Sequence, residues 1–594
     1  MRYQKKLTVL FILSFLIAIV YSGCKDKNDA SNTNWKAPAD ASEKQMPFEN
    51  TAIAEQKGKE LYNVYCWSCH GTSGHGDGAA GGALGQKPAN LHERRVKNQS
   101  DGAIFWKIST GKGNMPPFKD VMTEEQRWQL VAYIRKLSDE EIIASPPRAL
   151  RPDIKVEHFM GIGPLAVRIL SNHSKLYYTS FDGNVFEITN KDSTQHELKK
   201  IVSQEDHGIT RLQGAVFFND TLFLCGNVDL IEKKATKGKL VRIVFDTAGK
   251  PQTTAVFNTV EYGANKTIYD HGWNALAVSP DGKFIFVNSG ARTDHGEVQD
   301  NGGLYPKARD NALTAKIFRF PTNAKDIMLT DDVPKLKADG YLYAEGIRNA
   351  YDMAFDNAGN LFAVVNSADY DNPEDMFWVR EGHHYGFPWI MGGIENPQQF
   401  PDWKPDPETD PFINKFSHSW KVSYFQNDPE FPKIPDTVKF SPGVQNWGPD
   451  ANEYRGHTGK VLDGDQTGIA VSTFTAHSSP LGLIFDTEKK LAKGLQGDGF
   501  VIRYSYGKNA ALMKPFTDEG SDLLHMHMRY DSTADNYFMK TVRMVDGFNE
   551  PTDAVLDGNI LYVIEYGGRS GRIWKITLPA DATNTIMTTK KLKK

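Results

Sequence analysis

Residues 348–364 read RNAYDMAFDNAGNLFAV and contain one copy of a pattern that recurs along most of the chain. In each copy a loop leads into an apolar run, a turn rich in Asp, Asn or Gly, and then further short strands. The recurring apolar strands lie at 175–178, 221–224, 283–286, 360–363, 499–504 and 559–563. Such units bury a common core only when they pack against one another. Six copies therefore predict an all-β propeller of six four-stranded blades at residues 156–579.

The loops that precede the first strand of each predicted blade carry polar and charged side chains. Because equivalent loops lie on one face of a propeller, we expect these side chains to converge near its axis and form a ligand site. They are Gln213, Asp270, His271, Arg348, Asn349, His477 and Glu550. Each of them could instead be a turn residue that makes only local hydrogen bonds.

A second informative stretch, CWSCH, occupies residues 66–70. The C-x-x-C-H pattern is typical of c-type haem attachment, in which Cys66 and Cys69 bind haem covalently and His70 is an axial iron ligand. A zinc site or a thiol redox pair would use similar residues, but the chain has no second cysteine pair and no βαβ pattern around the motif. Helical spacing on both sides of the motif predicts a small all-α domain at residues 46–140 that carries a covalent haem c.

The loop GKGNMPPF at residues 111–118 precedes a predicted terminal helix with Thr123 as its N-cap. The whole segment resembles class I cytochromes c, and a methionine on such a loop implies Met115 as the sixth iron ligand. Alternative ligands are Met122, His75 and His92. A haem with both axial positions filled is suited to electron transfer rather than to oxygen chemistry.

The start of the chain predicts export. An apolar run from Leu7 to Val20, followed by small residues before Cys24, is typical of a lipoprotein signal peptide over residues 1–23. Lipidation of Cys24 would anchor the chain to a membrane, and the polar residues 24–45 are suited to a flexible tether. The alternatives are an ordinary signal peptide or a short anchor with an incidental cysteine. We expect an exported, membrane-anchored lipoprotein of the periplasm or cell envelope.

The composition is that of a globular protein, with 40% hydrophobic and 24% charged residues among 594. The formal net charge is only −4 and the basic cluster is the tail at residues 580–594, so nucleic acid is not an expected partner. A proline-rich linker is predicted at residues 141–155. With four cysteines the chain has no disulfide framework, and Cys225 is predicted to be a buried free thiol.

The propeller segment resembles the soluble quinoprotein sugar dehydrogenases of the glucose/sorbosone branch. The resemblance is carried by the stretches 270–283, 346–356, 373–389 and 477–483. It implies pyrroloquinoline quinone (PQQ) bound on the propeller axis together with Ca²⁺. It also implies oxidation of a sugar or an alcohol by hydride transfer to that quinone.

The same resemblance implies a role for each matching residue. His271 would be the general base that takes the hydroxyl proton, and Asp270 would orient its ring. Arg348 and Asn349 would contact the carboxylates and carbonyls of PQQ, because an arginine fork suits a planar carboxylate. Gln213 would line the same site.

For calcium, backbone carbonyls near residues 367–369 are the matching segment, and hard oxygen ligands are those that calcium takes. The side chains expected at this site are Asp369, Glu374 and Asp375. The candidates for a family lysine on the fifth blade are Arg503, Ser505 and Lys508. Of these, Arg503 is the predicted cofactor contact. The sequence departs from the glucose-oxidising members on the last blade, where Glu550 and Thr552 stand in place of two arginines.

A haem domain fused to such a propeller predicts an electron-transfer chain. Substrate would reduce PQQ, PQQ would reduce the haem, and the haem would reduce a respiratory acceptor such as a cytochrome or an oxidase. One alternative, a calcium-dependent propeller lactonase, leaves the haem unexplained. Another is a non-catalytic haem-carrying binding module, which Glu550 and Thr552 favour. A Trp-rich insertion after the fourth blade, at about residues 386–475, predicts a lid or binding loop, unless its Trp side chains simply pack it.

Overall fold

The computed structural model describes most of the chain. The described residues are 35–48, 51–71, 74, 76, 78, 88–92, 96, 98–139, 146–163, 165–189, 196–264, 267–301, 303, 305–456, 458–468, 473–505, 511–566 and 571–581. The predicted signal peptide, Cys24, most of the tether, part of the linker and the basic tail beyond residue 581 lie outside these residues. Among the helices that are described, none is both long and apolar enough to cross a membrane.

The helices of the described residues are short apart from three in the first 140 residues. They are α1 (Ala39–Ser42), α2 (Thr51–Tyr65), α3 (Trp67–His70), α4 (Asp101–Thr110), α5 (Glu124–Asp139), α6 (Gln204–His207), α7 (Val333–Ala338), α8 (His418–Lys421) and α9 (Gly464–Thr467). Helix α5 starts as predicted. The hydroxyl of Thr123 accepts from the backbone N–H of Gln126, and the Gln126 side chain accepts from the backbone N–H of Thr123. This reciprocal pair satisfies two N–H groups that would otherwise lack partners.

The described residues within 1–58 and 94–135 form one compact unit. Its helices pack through small residues and rings. Gly58 of α2 lies against Gln129 and Tyr133 of α5, where a Cβ atom would have no room. The rings of Phe105 and Trp128 stack with centroids 4.2 Å apart. The smaller unit is therefore a helical bundle, in agreement with the all-α prediction.

The described residues within 59–93 and 136–594 form the second compact unit. The predicted domain at residues 46–140 is thus divided between two units, with the CWSCH segment in the larger one. The larger unit is dominated by six β-sheets.

Each of these sheets is one blade of a propeller. Blade 1 is β3 (Ala166–Asn172), β4 (Lys175–Ser180), β5 (Val185–Thr189) and β6 (Glu197–Val202). Blade 2 is β7 (Arg211–Phe218), β8 (Thr221–Leu230), β9 (Ala235–Phe245) and β10 (Pro251–Thr259), with β11 (Tyr262–Gly263) and β15 (Ile327–Leu329). Blade 3 is β12 (Trp273–Val278), β13 (Phe284–Ser289), β14 (Lys316–Pro321) and β16 (Leu342–Glu345).

The other three sheets complete the ring. Blade 4 is β17 (Ala350–Phe355), β18 (Leu361–Val365) and β19 (Asp375–Val379). Blade 5 is β25 (Pro480–Phe485), β26 (Gly499–Arg503), β27 (Asp522–Asp531) and β28 (Asn536–Asp546), with β1 (Arg148–Ala149) and β22 (Gln445–Asn446). Blade 6 is β29 (Pro551–Asp557), β30 (Ile560–Glu565), β31 (Gly571–Thr577) and β2 (Lys155–Ile162). The inner strands β3, β7, β12, β17, β25 and β29 contact one another in a closed circle.

The prediction of six blades is confirmed, and two details of it are wrong. The blades are not all four-stranded, because blade 4 has three described strands and blades 2 and 5 each have six. The linker predicted at 141–155 contributes to the sheets, since β1 pairs with β28 and β2 begins at Lys155. Strand β2 pairs antiparallel with β31, with Val156 opposite Ile576. The first strand of the propeller therefore closes the last blade, which sequence periodicity did not reveal.

The interior between blades is apolar and close-packed. Trp273 is fully buried, and its ring lies 4.9 Å from that of Phe257 and 5.0 Å from that of Phe318. Cys225 is a fully buried free thiol, as predicted. Burying each large side chain of this kind stabilises the fold by roughly 1.5–3 kcal/mol.

The insertion after blade 4 contains the hairpins β20 (Ile390–Met391) with β21 (Ile394–Glu395) and β23 (Glu453–Arg455) with β24 (Val461–Asp463). Its tryptophans mostly pack the insertion itself. The indole N–H of Trp389 donates to the Pro432 carbonyl at 2.7 Å, and that of Trp403 donates to Asp410 at 3.0 Å. These contacts favour the packing role over an open aromatic binding surface.

Candidate haem and active sites

The CWSCH segment presents three groups suited to haem. Cys66 and Cys69 are free thiols, and the backbone N–H of His70 donates to the Cys66 carbonyl at 2.8 Å, so the motif is wound into α3. Nδ1 of His70 lies 2.9 Å from the carbonyl oxygen of Ala89. Because a carbonyl only accepts, Nδ1 carries the proton and Nε2 is left as a lone-pair donor for a metal. Burial lowers the pKa of His70, which keeps the ring neutral. These residues fit a c-type haem.

Met115 lies in the smaller compact unit, on the loop between α4 and α5, and is half-buried. The backbone N–H of Lys112 donates to the Met115 carbonyl at 2.9 Å. Gly111 has a φ of +60°, and a Cβ there would meet the backbone of Met115 and Pro116. Of the alternative ligands, Met122 is buried, His92 is half-buried, and His75 lies outside the described residues.

His271 immediately precedes β12, the inner strand of blade 3. Its Nδ1 lies 2.9 Å from the Ala291 carbonyl, and the side chain of Gln213 donates to the His271 carbonyl at 2.7 Å. Within the described parts of the chain nothing hydrogen-bonds the other ring nitrogen, Nε2. Burial, reinforced by the cation of Arg348, lowers the pKa of His271 to about 3. The ring is thus neutral at pH 7, with a lone pair on Nε2.

The orienting contact of His271 differs from the one expected. Nδ1–H donates to a backbone carbonyl, so the Asp270 carboxylate does not orient the ring. Asp270 is buried, and its backbone carbonyl accepts from Arg211 at 3.2 Å. A backbone partner carries no sequence signature, which is why the neighbouring carboxylate was the natural prediction.

Arg348 and Asn349 lie beside His271. Arg348 donates from Nη2 to the Asp294 carboxylate at 2.7 Å, from Nε to the Asp294 carbonyl at 2.9 Å, and from Nη1 to the Asn366 carbonyl at 2.9 Å. The described residues use three of its five N–H groups, which leaves two for a ligand. Oδ1 of Asn349 accepts from Asn274 at 2.7 Å, so its amide nitrogen is turned the other way.

A glycine backs this group of residues. A Cβ on Gly290 would lie 2.7 Å from Cβ of His271 and 2.8 Å from Oδ1 of Asn349. The predicted residues of blades 2, 3 and 4, namely Gln213, His271, Arg348 and Asn349, are therefore brought together. We refer to them as the axial site.

Sequence reasoning missed several residues that support the axial site. Asp294 is fully buried and holds Arg348. The hydroxyl of Tyr269 donates to Asp369 at 2.5 Å, and the hydroxyl of Ser419 donates to Asp294. Asp294 belongs to the polar stretch 290–299, which follows β13 and in which every residue except Val298 is buried. The length and polarity of that stretch were the available signal, since loops of such length are often functional.

The carboxylates predicted for calcium already have protein partners. Asp369 accepts from Tyr269, Glu374 accepts from the backbone N–H of Ser367 at 2.7 Å, and Asp375 accepts from the backbone N–H of Gly392 at 2.7 Å. Burial raises the pKa of Glu374 to about 7. Among the described residues, no group of three or more His, Cys, Asp or Glu side chains has the geometry of a metal site.

One oxygen beside the same segment does fit a cation. Oδ1 of Asn366 is buried and has no hydrogen-bond partner within the described chain. A neutral amide oxygen is among the ligands that calcium accepts, as are backbone carbonyls. The segment from Asn366 to Asp369 thus fits an oxygen-bound ion through amide and carbonyl groups rather than through the predicted carboxylates.

Blades 5 and 6 contribute less than predicted to a cofactor site. Arg503 is fully buried, and it donates to Asp518, Asp522 and Ser478. Glu550 and Thr552 are buried too, each 7% exposed. Nε2 of His477 lies 2.7 Å from Asp371, which raises the pKa of the imidazole against the effect of burial. The open groups of the described axial site, which are Nε2 of His271 and N–H groups of Arg348 and Asn349, therefore come from blades 3 and 4.

The N-terminal region matches a known family. Residues 54–134 match the family described as cytochrome c oxidase, cbb3-type, subunit III. This match confirms the predicted cytochrome domain. No curated protein sequence matches the chain.

Solved structures are similar to each part of the chain. The PQQ domain of pyranose dehydrogenase from Coprinopsis cinerea is 12% identical, with 73% of this chain and 99% of that chain covered and a TM-score of 0.42. The soluble aldose sugar dehydrogenase from Escherichia coli, in its apo form, is 14% identical, with coverage of 72% and 99% and a TM-score of 0.43. A c-type cytochrome described as KustC0563 is 30% identical, with coverage of 14% and 98% and a TM-score of 0.13. The chain is a small helical cytochrome domain followed by a mainly β six-bladed propeller.

Proposed function

We propose that this chain is an exported quinohaemoprotein dehydrogenase. The propeller would oxidise a sugar or an alcohol with PQQ, and the electrons would pass to the haem of the cytochrome domain. The observation that carries the proposal is the state of His271. Its Nδ1–H is bound to Ala291, which leaves the lone pair on Nε2 of a ring that is neutral at pH 7, and Arg348 lies at its side.

The chemistry of the axial site follows from these residues. A neutral imidazole with Nε2 open accepts the hydroxyl proton of an alcohol at neutral pH. Gln213 and Ala291 hold the backbone and the ring of His271, so the base does not have to be ordered during the reaction. When bound, PQQ supplies a two-electron acceptor for the hydride that the alcohol carbon loses.

Arg348 and Asn349 would hold the quinone. The two remaining N–H groups of Arg348 suit a carboxylate in the fork geometry, and the free amide nitrogen of Asn349 suits a carbonyl. Calcium would be held by the oxygens of the segment from Asn366 to Asp369, and it supplies a Lewis acid there. Arg503 is not proposed as a quinone contact, because its N–H groups already donate to the carboxylates of Asp518 and Asp522.

The haem of the cytochrome domain would accept, one at a time, the two electrons that the quinone of the axial site gains. Cys66 and Cys69 would attach the haem, and His70 and Met115 would bind its iron. An iron held by these two side chains would serve electron transfer rather than oxygen chemistry. We further propose that Cys24 is lipidated, that the chain is anchored in the periplasm or cell envelope, and that a cytochrome or an oxidase is the next acceptor.

Reconstitution tests the proposal. The full chain, produced in a host that attaches haem, is incubated with and without PQQ and Ca²⁺ and then mixed with a panel of aldoses and alcohols. We expect the α band of reduced haem to appear only when PQQ and one of the substrates are both present. Haem that stays oxidised with every substrate, although dithionite reduces it, would contradict the proposal.

A second candidate function is a haem-carrying module that binds a ligand without turnover. Glu550 and Thr552 on blade 6 and the committed Arg503 on blade 5 favour it. The same experiment separates the two functions. A module of this kind would bind a sugar in calorimetry without any change in the haem spectrum.

A further inference from the structure

Helix α8 connects two parts of the larger compact unit. It lies in the insertion after blade 4, and that unit also contains the axial site and residues 59–93 with the CWSCH segment. It is a single helical turn, capped by the hydroxyl of Ser417, which accepts from the backbone N–H of Trp420 at 3.1 Å. It is joined to its surroundings on two sides by hydrogen bonds, through Ser419 on one side and Lys421 on the other.

On one side α8 is bound to the supports of the axial site. Ser419 is fully buried. Its hydroxyl donates to the Asp294 carboxylate and lies 2.9 Å from the Tyr269 hydroxyl, while its backbone N–H donates to Asp369 at 3.0 Å. Asp294 is the carboxylate that holds Arg348. The position of α8 is therefore tied to that of the cofactor-binding arginine.

On the other side α8 is bound to the end of α2. The ammonium of Lys421 donates to the Val64 carbonyl at 2.8 Å and lies 4.8 Å from the ring centroid of Tyr65. Val64 is in the last turn of α2, whose carbonyls have no partners within the helix and carry a partial negative charge. A cation at this end stabilises the helix, and the ring adds a cation–π contact. Cys66, the first haem-attachment cysteine, directly follows Tyr65 in the chain.

The charge of Lys421 also reaches the haem-attachment position. It acts to lower the pKa of the Cys66 thiol, against the larger effect of burial that raises this pKa. A second hydrogen bond of 2.6 Å runs from the same ammonium to the Phe416 carbonyl, just before α8. The ammonium is thus held between a carbonyl of the insertion and a carbonyl of α2.

We propose that α8 is a clamp that fixes the haem-attachment segment against the oxidation site, with Lys421 as its positioning residue. The functional meaning of the clamp rests on the function proposed above, because a fixed separation matters only if electrons pass between the two sites. The contact itself does not depend on that function. Lys421 touches no substrate and takes no part in proton transfer.

The test uses the full haem-loaded chain with three variants. Lys421→Met keeps the length of the side chain and removes its charge, and Lys421→Arg keeps the charge. Lys415→Met is the matched control, since Lys415 lies in the same insertion but is exposed, and its ion pair among the described residues is with Glu408. The readouts are hydrogen–deuterium exchange of residues 59–71, the midpoint potential of the haem, and the rate at which substrate reduces the haem.

We expect Lys421→Met to raise the exchange of residues 59–71 by at least about tenfold, because a charge-assisted bond to a helix end is lost. The haem potential should fall, since a nearby cation favours the reduced state. Haem reduction by substrate should slow by about tenfold, while turnover with a soluble dye that takes electrons directly from the quinone should be unchanged. Lys421→Arg and Lys415→Met should match the wild type.

Unchanged exchange and unchanged potential in Lys421→Met would overturn the clamp, whatever the enzyme does with substrate. If no sugar or alcohol reduces the haem in any variant, the proposed function fails, and the exchange data still decide whether Lys421 holds the segment. An equal effect of Lys415→Met would also overturn the proposal, because it would show a general effect of charge.

Discussion

His70 and His271 lie in unrelated parts of the sequence, yet each is held by a hydrogen bond from Nδ1–H to an alanine carbonyl at 2.9 Å. Burial lowers the pKa of both rings, so both present a neutral Nε2. They differ in their neighbours. His70 follows two cysteines in the chain, whereas the cations beside His271 are Arg348 of blade 4 and Arg211 of blade 2. In the function proposed above, the same fixation would serve a metal at His70 and a proton at His271, and the neighbours would decide which.

The largest effect is expected at the CWSCH segment. A Cys66→Ser, Cys69→Ser double variant should lose covalent haem completely, because both thioether links need a thiol. Haem staining after denaturing electrophoresis and the Soret band of the purified chain measure this loss. The matched control is Cys225→Ala, in which the buried thiol of blade 2 is removed and haem should remain. Haem retained covalently in the double variant would contradict the assignment of the motif.

The next largest effect is expected at the axial site. His271→Ala should lower kcat/KM for haem reduction by substrate by about 10²–10⁴-fold, which is the usual contribution of a general base. Reduction of the same haem by dithionite should be unaffected. His173→Ala provides the control, because His173 is exposed and its partner within the described chain is the exposed Asp220. If His271→Ala keeps the wild-type rate, the base lies elsewhere and the parallel between the two histidines does not extend to function.

The two regions also differ in how far sequence could predict them. The CWSCH segment and the Thr123 cap are local, so adjacent residues carried the whole signal. The blades could be predicted because strand and turn residues repeat. The contacts that hold Arg348 could not be predicted. Arg348 is held by Asp294, and Asp294 is in turn bound by Ser419, which lies 125 residues away and meets it only in the fold. The closure of β2 on β31 was missed for the same reason, and the backbone partner of His271 has no side chain to recognise.

Arg348 and Arg503 give a third way to sharpen the comparison, since sequence assigned both to the cofactor. Arg348→Lys keeps the charge and loses the fork, and we expect it to weaken PQQ binding by about 10- to 100-fold in titrations of the apo chain. Arg503→Lys should leave that affinity unchanged, because its donors face Asp518 and Asp522. It should instead lower the free energy of unfolding by roughly 1–3 kcal/mol, measured by urea denaturation. Equal losses of affinity in the two variants would restore Arg503 to the cofactor site.

The last prediction concerns acid stability. The pKa of His271 is about 3 in the folded chain, against an ordinary value near 6.5, so the unfolded chain binds the extra proton first as the pH falls. This histidine therefore stabilises the fold above pH 6.5, and its contribution decreases between pH 6.5 and 3 by at most about 1.4 kcal/mol per pH unit. In haem-loaded chain His70 is withdrawn from this titration, because its lone pair would be bound to iron. His271→Gln should flatten the dependence of unfolding free energy on pH in that window, whereas His173→Gln should leave it unchanged. A curve as steep in His271→Gln as in the wild type would show that His271 titrates normally, and its likeness to His70 would then be one of geometry alone.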